Sequence, residues 1–173
     1  GQKRTEETKK FNSVFNKISS ELNNDNSKYE IKYSSNFSND FNSRIFDKYL
    51  EKDFYTKTTN IGIHHDDFIF EIDNKLIKRI GSQGQQKTFI IALRMSEFKI
   101  LKDRLAIVPI LLLDDVFHKL DDKKINLLLD YLLNNNFKQV LISDSIKSRR
   151  LKIEKKIKDL KIFNIKEGKI HER

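Results

Sequence analysis

Two adjacent carboxylates, Asp114 and Asp115, close an apolar run made of Val108, Pro109 and Ile110 to Leu113. A short apolar run without polar alternation predicts a strand over 108–113, buried on both faces as in a parallel sheet. Pro109 suits the first strand position, where a missing N–H costs least. In open α/β sheets ligands bind beyond the carboxyl ends of the strands. Two carboxylates there suit a hard cation and a phosphate, because Mg²⁺ takes oxygen ligands and shares its shell with water and substrate phosphates. The plainer alternative is that the pair ends the strand and solvates a turn.

The second stretch with chemical content is GSQGQQKT, residues 81–88. Ser82 followed three residues later by Gln85 is a capping-box pattern, which predicts a helix over 83–104 carried by Ala92, Leu93, Ser96 and Ile100. The start of a helix offers unpaired N–H groups and a positive dipole end, a natural phosphate site, and Gly84 leaves room for a phosphate to approach. An ordinary N-cap with incidental glycines is the competing reading. Lys87 and Thr88 match the end of the P-loop pattern, but Gln86 stands where its second glycine belongs, so the stretch is not a P-loop. The adjacent pairs His64-His65 and Asp66-Asp67 form the one histidine cluster. On an extended chain such neighbours point to opposite faces, and no separated third metal ligand is evident.

The elements that must position these residues follow from periodicity. Residues 3–22 have helical spacing through Phe11, Val14, Phe15, Ile18 and Leu22. Tyr29–Tyr33 alternates as a strand between polar loops at 23–27 and 34–39. Phe41–Tyr55 returns to helical spacing through Ile45, Phe46, Tyr49 and Leu50; its aromatics read as core, with stacking on bases the alternative. After a linker at 56–60, Phe68–Ile72 and Lys75–Ile77 predict a hairpin turning at Asp73-Asn74. Asp121 fits the N-cap of a helix to about Leu133, with Ile125, Leu128, Leu129 and Leu132 inside. Lys138–Ser143 predicts a further strand with Val140, Leu141 and Ile142 inside, which puts Ser143 and Asp144 level with the two aspartates if the strands are parallel. Ser145–Lys158 is basic and partly helical. Residues 160–171 predict two short strands turning at Glu167-Gly168. Strands at 68–72, 108–113 and 138–143 with helices at 83–104 and 122–133 give an α/β layer.

The chain has 173 residues, enough for one domain or a domain with an appendage. Its formal charge is +9, and residues 147–173 hold eleven Lys and Arg against four Asp and Glu. That surplus suggests a polyanion partner such as nucleic acid, or else a Lys- and Asn-rich codon bias. There is no cysteine, which excludes disulfides and thiolate metal sites and fits a reducing cytoplasm. The longest uncharged apolar run, Leu105–Leu113, is too short to span a membrane, and no signal peptide is visible. The chain begins at Gly1 rather than Met, which is expected of a processed product or a piece of a longer protein.

The ordered set of motifs resembles the carboxyl-terminal part of RecF, a family of DNA replication and repair ATPases with an ABC-type, SMC-like head. Residues 62–67 resemble the family's Gly-Pro-His-Arg-Asp-Asp stretch, with Ile63 and His65 departing from it. Ser82-Gln83-Gly84-Gln85-Gln86 is similar to its ABC signature. Ile110 to Asp115 is similar to its Walker B strand. His118-Lys119-Leu120-Asp121 is similar to its D-loop, where Ser is usual in place of His118. Glu167-Gly168-Lys169-Ile170 is similar to its final hairpin. The match runs through residues 61–171; residues 1–60 resemble, more loosely, the end of the family's helical second lobe.

The resemblance implies an ABC-type head fragment: a parallel sheet flanked by helices over 61–173, joined to an α-rich segment at 1–60. It implies that Asp114 holds Mg²⁺, that Asp115 activates the attacking water, and that Ser82, Gln83, Gly84 and Gln85 close on the γ-phosphate of ATP held by a partner head. Asp121 would line the contact of an ATP-dependent homodimer. Ser143-Asp144 stands near the place of the switch histidine of other ABC proteins. The family's P-loop lies upstream of every residue here, so the chain is expected to donate a signature in trans without holding ATP itself. Implied partners are single-stranded DNA, duplex junctions and RecO-type and RecR-type repair proteins. Two other readings stand beside this one: a non-enzymatic DNA-binding or interaction module, and a metal-dependent phosphohydrolase or nuclease using Asp114, Asp115 and the histidine pair.

Overall fold

The computed structural model describes residues 2–23, 25–35 and 44–172. Its core is assembled around one ring. Phe89 lies 4.9 Å from the Phe15 ring centroid, 5.6 Å from Tyr29 and 5.4 Å from Phe70. Phe15 belongs to α1 (Gln2–Leu22), Tyr29 to β1 (Tyr29–Ser34), Phe70 to β2 (Asp67–Ile72) and Phe89 to α4 (Gln83–Leu105), so four elements meet at this ring. Helix α1 follows its predicted amphipathic spacing: Phe15, Ile18 and Leu22 are buried against α4, and Phe11 and Val14 pack at the margin. Strand β2 pairs antiparallel with β1, and with β3 (Lys75–Leu76) through a turn where Asp73 and Asn74 both take positive φ. The return strand is shorter than predicted, because Ile77 turns into the core and starts the short helix α3 (Ile77–Ile80).

A second, parallel sheet pairs β4 (Leu111–Leu113) with β5 (Val140–Ile142). Between them runs α5 (Asp122–Asn134), which buries Ile125, Leu128, Leu129 and Leu132 as the sequence predicts. The chain ends with α6 (Lys147–Lys156) and an antiparallel hairpin of β6 (Phe163–Lys166) and β7 (Lys169–Glu172). That hairpin turns at Glu167-Gly168, but β6 starts three residues later than the predicted onset at 160.

Three expectations need correction. Strand 68–72 does not join the parallel layer; it belongs to the antiparallel sheet of order β1-β2-β3. Strand β4 begins at Leu111, so Pro109 precedes it, and the strand is covered on one face alone: Leu111 and Leu113 are buried while Leu112 is 71% exposed. Leu141 on β5 is likewise exposed, because the buried helices lie against one side of this sheet. The aromatic helix α2 (Arg44–Thr56) is not core: Phe54 and Tyr55 are 77% and 90% exposed. The predicted start of that helix at 41–43, and most of the loop at 34–39, lie outside the described residues.

The one-sided burial of β4 separates two otherwise identical substitutions. Leu113→Ala is expected to cost about 2–4 kcal/mol of unfolding free energy, and Leu112→Ala to stay within about 0.5 kcal/mol of the parent. Urea unfolding followed by circular dichroism checks both.

Candidate functional site

The start of α4 is set by local chemistry. The Ser82 hydroxyl accepts from the Gln85 N–H at 3.2 Å, and the Gln85 side-chain oxygen accepts from the Ser82 N–H at 2.9 Å, closing the predicted capping box. The Gln85 amide group also donates to Asp25 at 3.2 Å and lies 3.4 Å from the Ser27 hydroxyl, which ties this helix start to the loop before β1. Burial opposes ionisation of Asp25, yet hydrogen bonds from Ser27, Gln85 and Asn23 outweigh it and hold the carboxyl below its ordinary pKa. Just upstream, Gly81 donates its N–H to the Ile77 carbonyl at 2.9 Å. A Cβ at Gly81 would stand 2.7 Å from that carbonyl oxygen, so the approach needs glycine. Ser82 and Gln83 are exposed beyond it.

The carboxylate pair sits where β4 leaves the sheet. The Ser143 N–H extends the parallel ladder to the Leu113 carbonyl at 3.0 Å. The Ser143 hydroxyl then donates to Asp114 Oδ1 in a short hydrogen bond and accepts from the Asp115 N–H at 3.0 Å. Asp115 has a φ of 44°, an uncommon conformation for a residue with a Cβ. Its carbonyl accepts from the His118 N–H at 3.2 Å and from Lys87 Nζ at 3.2 Å. The turn is pinned from below by buried Val116, Phe117 and Leu120, leaving Asp115, His118 and Lys119 on the surface. His118 Nδ1 lies 4.0 Å from Asp115 Oδ2, each side chain about half exposed. Asp121 caps α5 by accepting from the Lys124 N–H at 2.8 Å.

The two stretches meet. A Cβ at Gly84 would lie 3.4 Å from the Lys119 carbonyl oxygen and 3.5 Å from Lys124 Nζ. The first turn of α4 thus packs on the turn that joins β4 to α5, with room left for no more than ordinary contact at Gly84. Two residues make bonds here that their expected positions did not specify. Ser143 bonds both aspartates, and its alignment with them was the signal. Lys87 binds the Asp115 carbonyl instead of a phosphate-binding loop. Asp144 is turned away into an ion pair with Arg149 at 3.2 Å.

The histidine pair gives no metal centre: no group of three or more His, Asp or Glu suited to a metal forms among the described residues. Both rings face the Thr59 carbonyl, at 3.2 Å for His64 and 2.8 Å for His65. Asp66 is instead structural. Its side chain is 2% exposed and accepts from Arg4 at 2.9 Å, Ser35 at 2.6 Å and the Tyr33 hydroxyl in a short bond. The carboxylates of Asp114 and Asp115, both exposed residues, supply hard oxygen donors, which fits the one or two carboxylates that Mg²⁺ takes from protein.

Known proteins resemble this chain in sequence and in fold. The DNA replication and repair protein RecF of Cytophaga hutchinsonii is 41% identical over 130 residues, 75% of this chain and 34% of that protein. RecF of Flavobacterium johnsoniae is 43% identical over 117 residues, 67% of this chain and 33% of that protein. A solved structure of the recombination mediator protein RecF with ATP superposes with a TM-score of 0.70 at 25% identity, covering 99% of this chain and 46% of that one. The chain is similar to the carboxyl-terminal part of RecF, in sequence and in fold. A solved SMC ATPase superposes with a TM-score of 0.58 at 11% identity, which shows a shared head fold. No family model matches. The chain spans about a third of the length of the curated RecF relatives it matches. Among the described residues no helix is long and apolar enough to cross a membrane.

Two carboxylates couple α1 to this frame and set its acid sensitivity. Hydrogen bonds from Ser35 and Tyr33, followed by the Arg4 charge, hold Asp66 below its ordinary pKa. Hydrogen bonds from Lys10 and Arg104 hold Glu7 down at about 2. Groups with depressed folded-state pKa values stabilise the fold above their unfolded values and lose that contribution as pH falls through the folded ones. Unfolding free energy, measured by urea titration, is therefore expected to be flat above pH ~5 and to fall from about pH 4 downward. Asp66→Asn should be less stable than the parent at neutral pH and show a shallower acid decline.

Proposed function

We propose that residues 61–173 form the signature-bearing part of a RecF-type ATPase head and that residues 1–60 are the end of a helical second lobe, with α1 packed along α4. The observation that carries this reading is the joining of the Ser82–Gln85 helix start to the Asp114–Asp121 turn through Gly84 and Lys87. In an ATP-sandwiched dimer, Ser82, Gln83, Gly84 and Gln85 close on the γ-phosphate of ATP held by the P-loop of the partner head. The capping box leaves the Ser82 O–H proton free to donate, and the unpaired N–H groups of the first turn add to it. Asp115 orients and activates the attacking water, Asp114 and Ser143 keep the adjacent carboxylate in place, and Asp121 lies at the dimer contact. Mg²⁺ held at Asp114 supplies charge for the phosphates when bound. Phosphoryl transfer rests on positioning and electrostatics, so this reading relies on the φ-constrained Asp115 turn to hold the carboxylate in place.

The same reading assigns a P-loop half upstream, which gives the bare sheet face at Leu112 and Leu141 a cover. It also assigns a cytoplasmic role in recombinational repair with RecO-type and RecR-type partners, on single-stranded DNA and duplex junctions. The basic end of the chain supports a phosphate-contacting surface in part. Arg149, Arg150, Lys152 and Lys156 already pair with Asp144, Glu154, Asp122 and Asp130, which leaves Lys147, Lys155 and Lys158 among the exposed or half-exposed cations without such ion pairs.

Mg-ATP hydrolysis measured on the chain alone, and mixed with an upstream half carrying a P-loop, tests the reading. Activity is expected in the mixture and not in the chain alone. Asp115→Asn should preserve ATP-driven dimerisation and lower turnover by about 10²-fold or more. Normal turnover in that variant would remove Asp115 from its role. Silence in both preparations, with DNA bound equally well with and without ATP, would favour a non-enzymatic module.

DNA affinity gives an independent check. It should fall steeply between 50 and 200 mM salt as roughly counted phosphate contacts are screened, and Lys147→Ala with Lys155→Ala should flatten the slope. Salt-independent binding would exclude a phosphate-contacting surface.

A further inference from the structure

Lys124 is 8% exposed, the one lysine in the buried set among the described residues. Its backbone N–H is taken up by Asp121, but its ammonium has neither a hydrogen bond nor an ion pair among the described residues. The stem is buried while the ammonium keeps contact with solvent, so the cation is hydrated and not paired with a protein acceptor. The ammonium is also aimed: it stands 3.5 Å from where a Cβ of Gly84 would be, in the first turn of α4. That turn already carries the positive end of a 23-residue helix and N–H groups that the helix itself leaves unpaired. A buried-stem cation placed against a positive helix end is repelled by it, and an anion between them relieves that repulsion.

We propose that Lys124 is a further binding residue of this surface, and that the anion it takes is the terminal phosphate of a nucleoside triphosphate. The assignment of the phosphate to a nucleotide rests on the proposed function above; the anion site itself rests on the geometry of Lys124 and Gly84. Lys124 reaches the phosphate from the D-loop side, while Ser82 and the α4 amides approach it from the helix. Gly84 separates the two sources of positive charge and presents no side chain between them. Lys123, one residue earlier and exposed, has the same charge without that placement.

The test uses the whole chain and inorganic tripolyphosphate, followed by the amide shifts of Gln83, Gly84 and Gln85 in ¹H–¹⁵N spectra. Tripolyphosphate is expected to move these amides. Lys124→Met should weaken the effect about tenfold, and Lys123→Met should change it by less than about twofold. In the absence of anion, Lys124→Met should melt above the parent, because an uncompensated cation has been replaced by an apolar side chain of similar length. Should methionine disturb the core, Lys124→Gln gives the same comparison. Equal affinity in the parent and the Lys124 variant would remove Lys124 and leave the helix start as the nucleotide-facing surface. No shift of these amides in any protein would overturn the anion site altogether. Shifts with a single-stranded oligonucleotide but not with tripolyphosphate would overturn the nucleotide assignment.

Discussion

Gly84 and the Lys119 carbonyl approach so closely that a side chain between them would be at the limit of van der Waals contact. This approach fixes where the start of α4 stands relative to the turn after β4, and the rest of the site follows from it. Helix α4 is held along its length by Phe89, Met95 and Phe98 in the core. The turn is held by Val116, Phe117 and Leu120 beneath it. With both bodies anchored independently, the Gly84 contact and the Lys87 bond to the Asp115 carbonyl decide their register. The chemistry-bearing groups are then displayed on a surface whose backbone has little freedom, which is what a reaction driven by positioning requires.

That surface carries both positive-φ backbone and an unpaired lysine. Asp115 and Lys119 both take positive φ, at 44° and 64°. Residues with a Cβ enter that region at a cost, and surrounding structure must hold them there. Here the holding groups are the Ser143 hydroxyl, the His118 N–H and the Lys87 ammonium. Several charges elsewhere are satisfied locally: Asp66 has three donors, Glu7 has two, and four cations of α6 have carboxylate partners. Asp66 and Glu7, with their donors in place, support the frame, whereas the exposed Asp114 and Asp115 carboxylates are open to a ligand or partner.

The parts legible in the sequence were those decided by neighbours in the chain. The Ser82–Gln85 capping box, the Asp121 cap, the buried stripe of α5 and the Asp73-Asn74 and Glu167-Gly168 turns all depend on contacts within a few residues. The parallel pairing of β4 with β5 was also readable, since a helix of ordinary length separates two apolar runs. The errors came where hydrophobicity had to stand in for a partner. Leu112 and Leu141 are as apolar as buried strand residues, but burial depends on what lies against the other face. The α2 aromatics have core-like spacing, yet Phe54 and Tyr55 face solvent in this chain. Nothing in the residues of β2 distinguishes a pairing with β1 from a pairing with β4, so its place in the antiparallel sheet is not legible from its own sequence.

Site residues were legible to the extent that they belong to a motif with its own backbone logic. Asp114 and Asp115 end a strand, and Ser82 opens a helix, so composition and position point to them together. Ser143 required knowledge that two strands are parallel and in register, because its hydroxyl reaches across the sheet to the aspartates. Lys124 was hidden more completely. By residue type it looks like one of two consecutive solvated lysines, although its spacing to Leu128 and Tyr131 puts it on the buried stripe of α5. Its significance appears when α4 is placed against α5: the missing side chain of Gly84 opens the space that the Lys124 ammonium faces. A glycine on one helix and a lysine on another thus define a feature that neither helix encodes by itself.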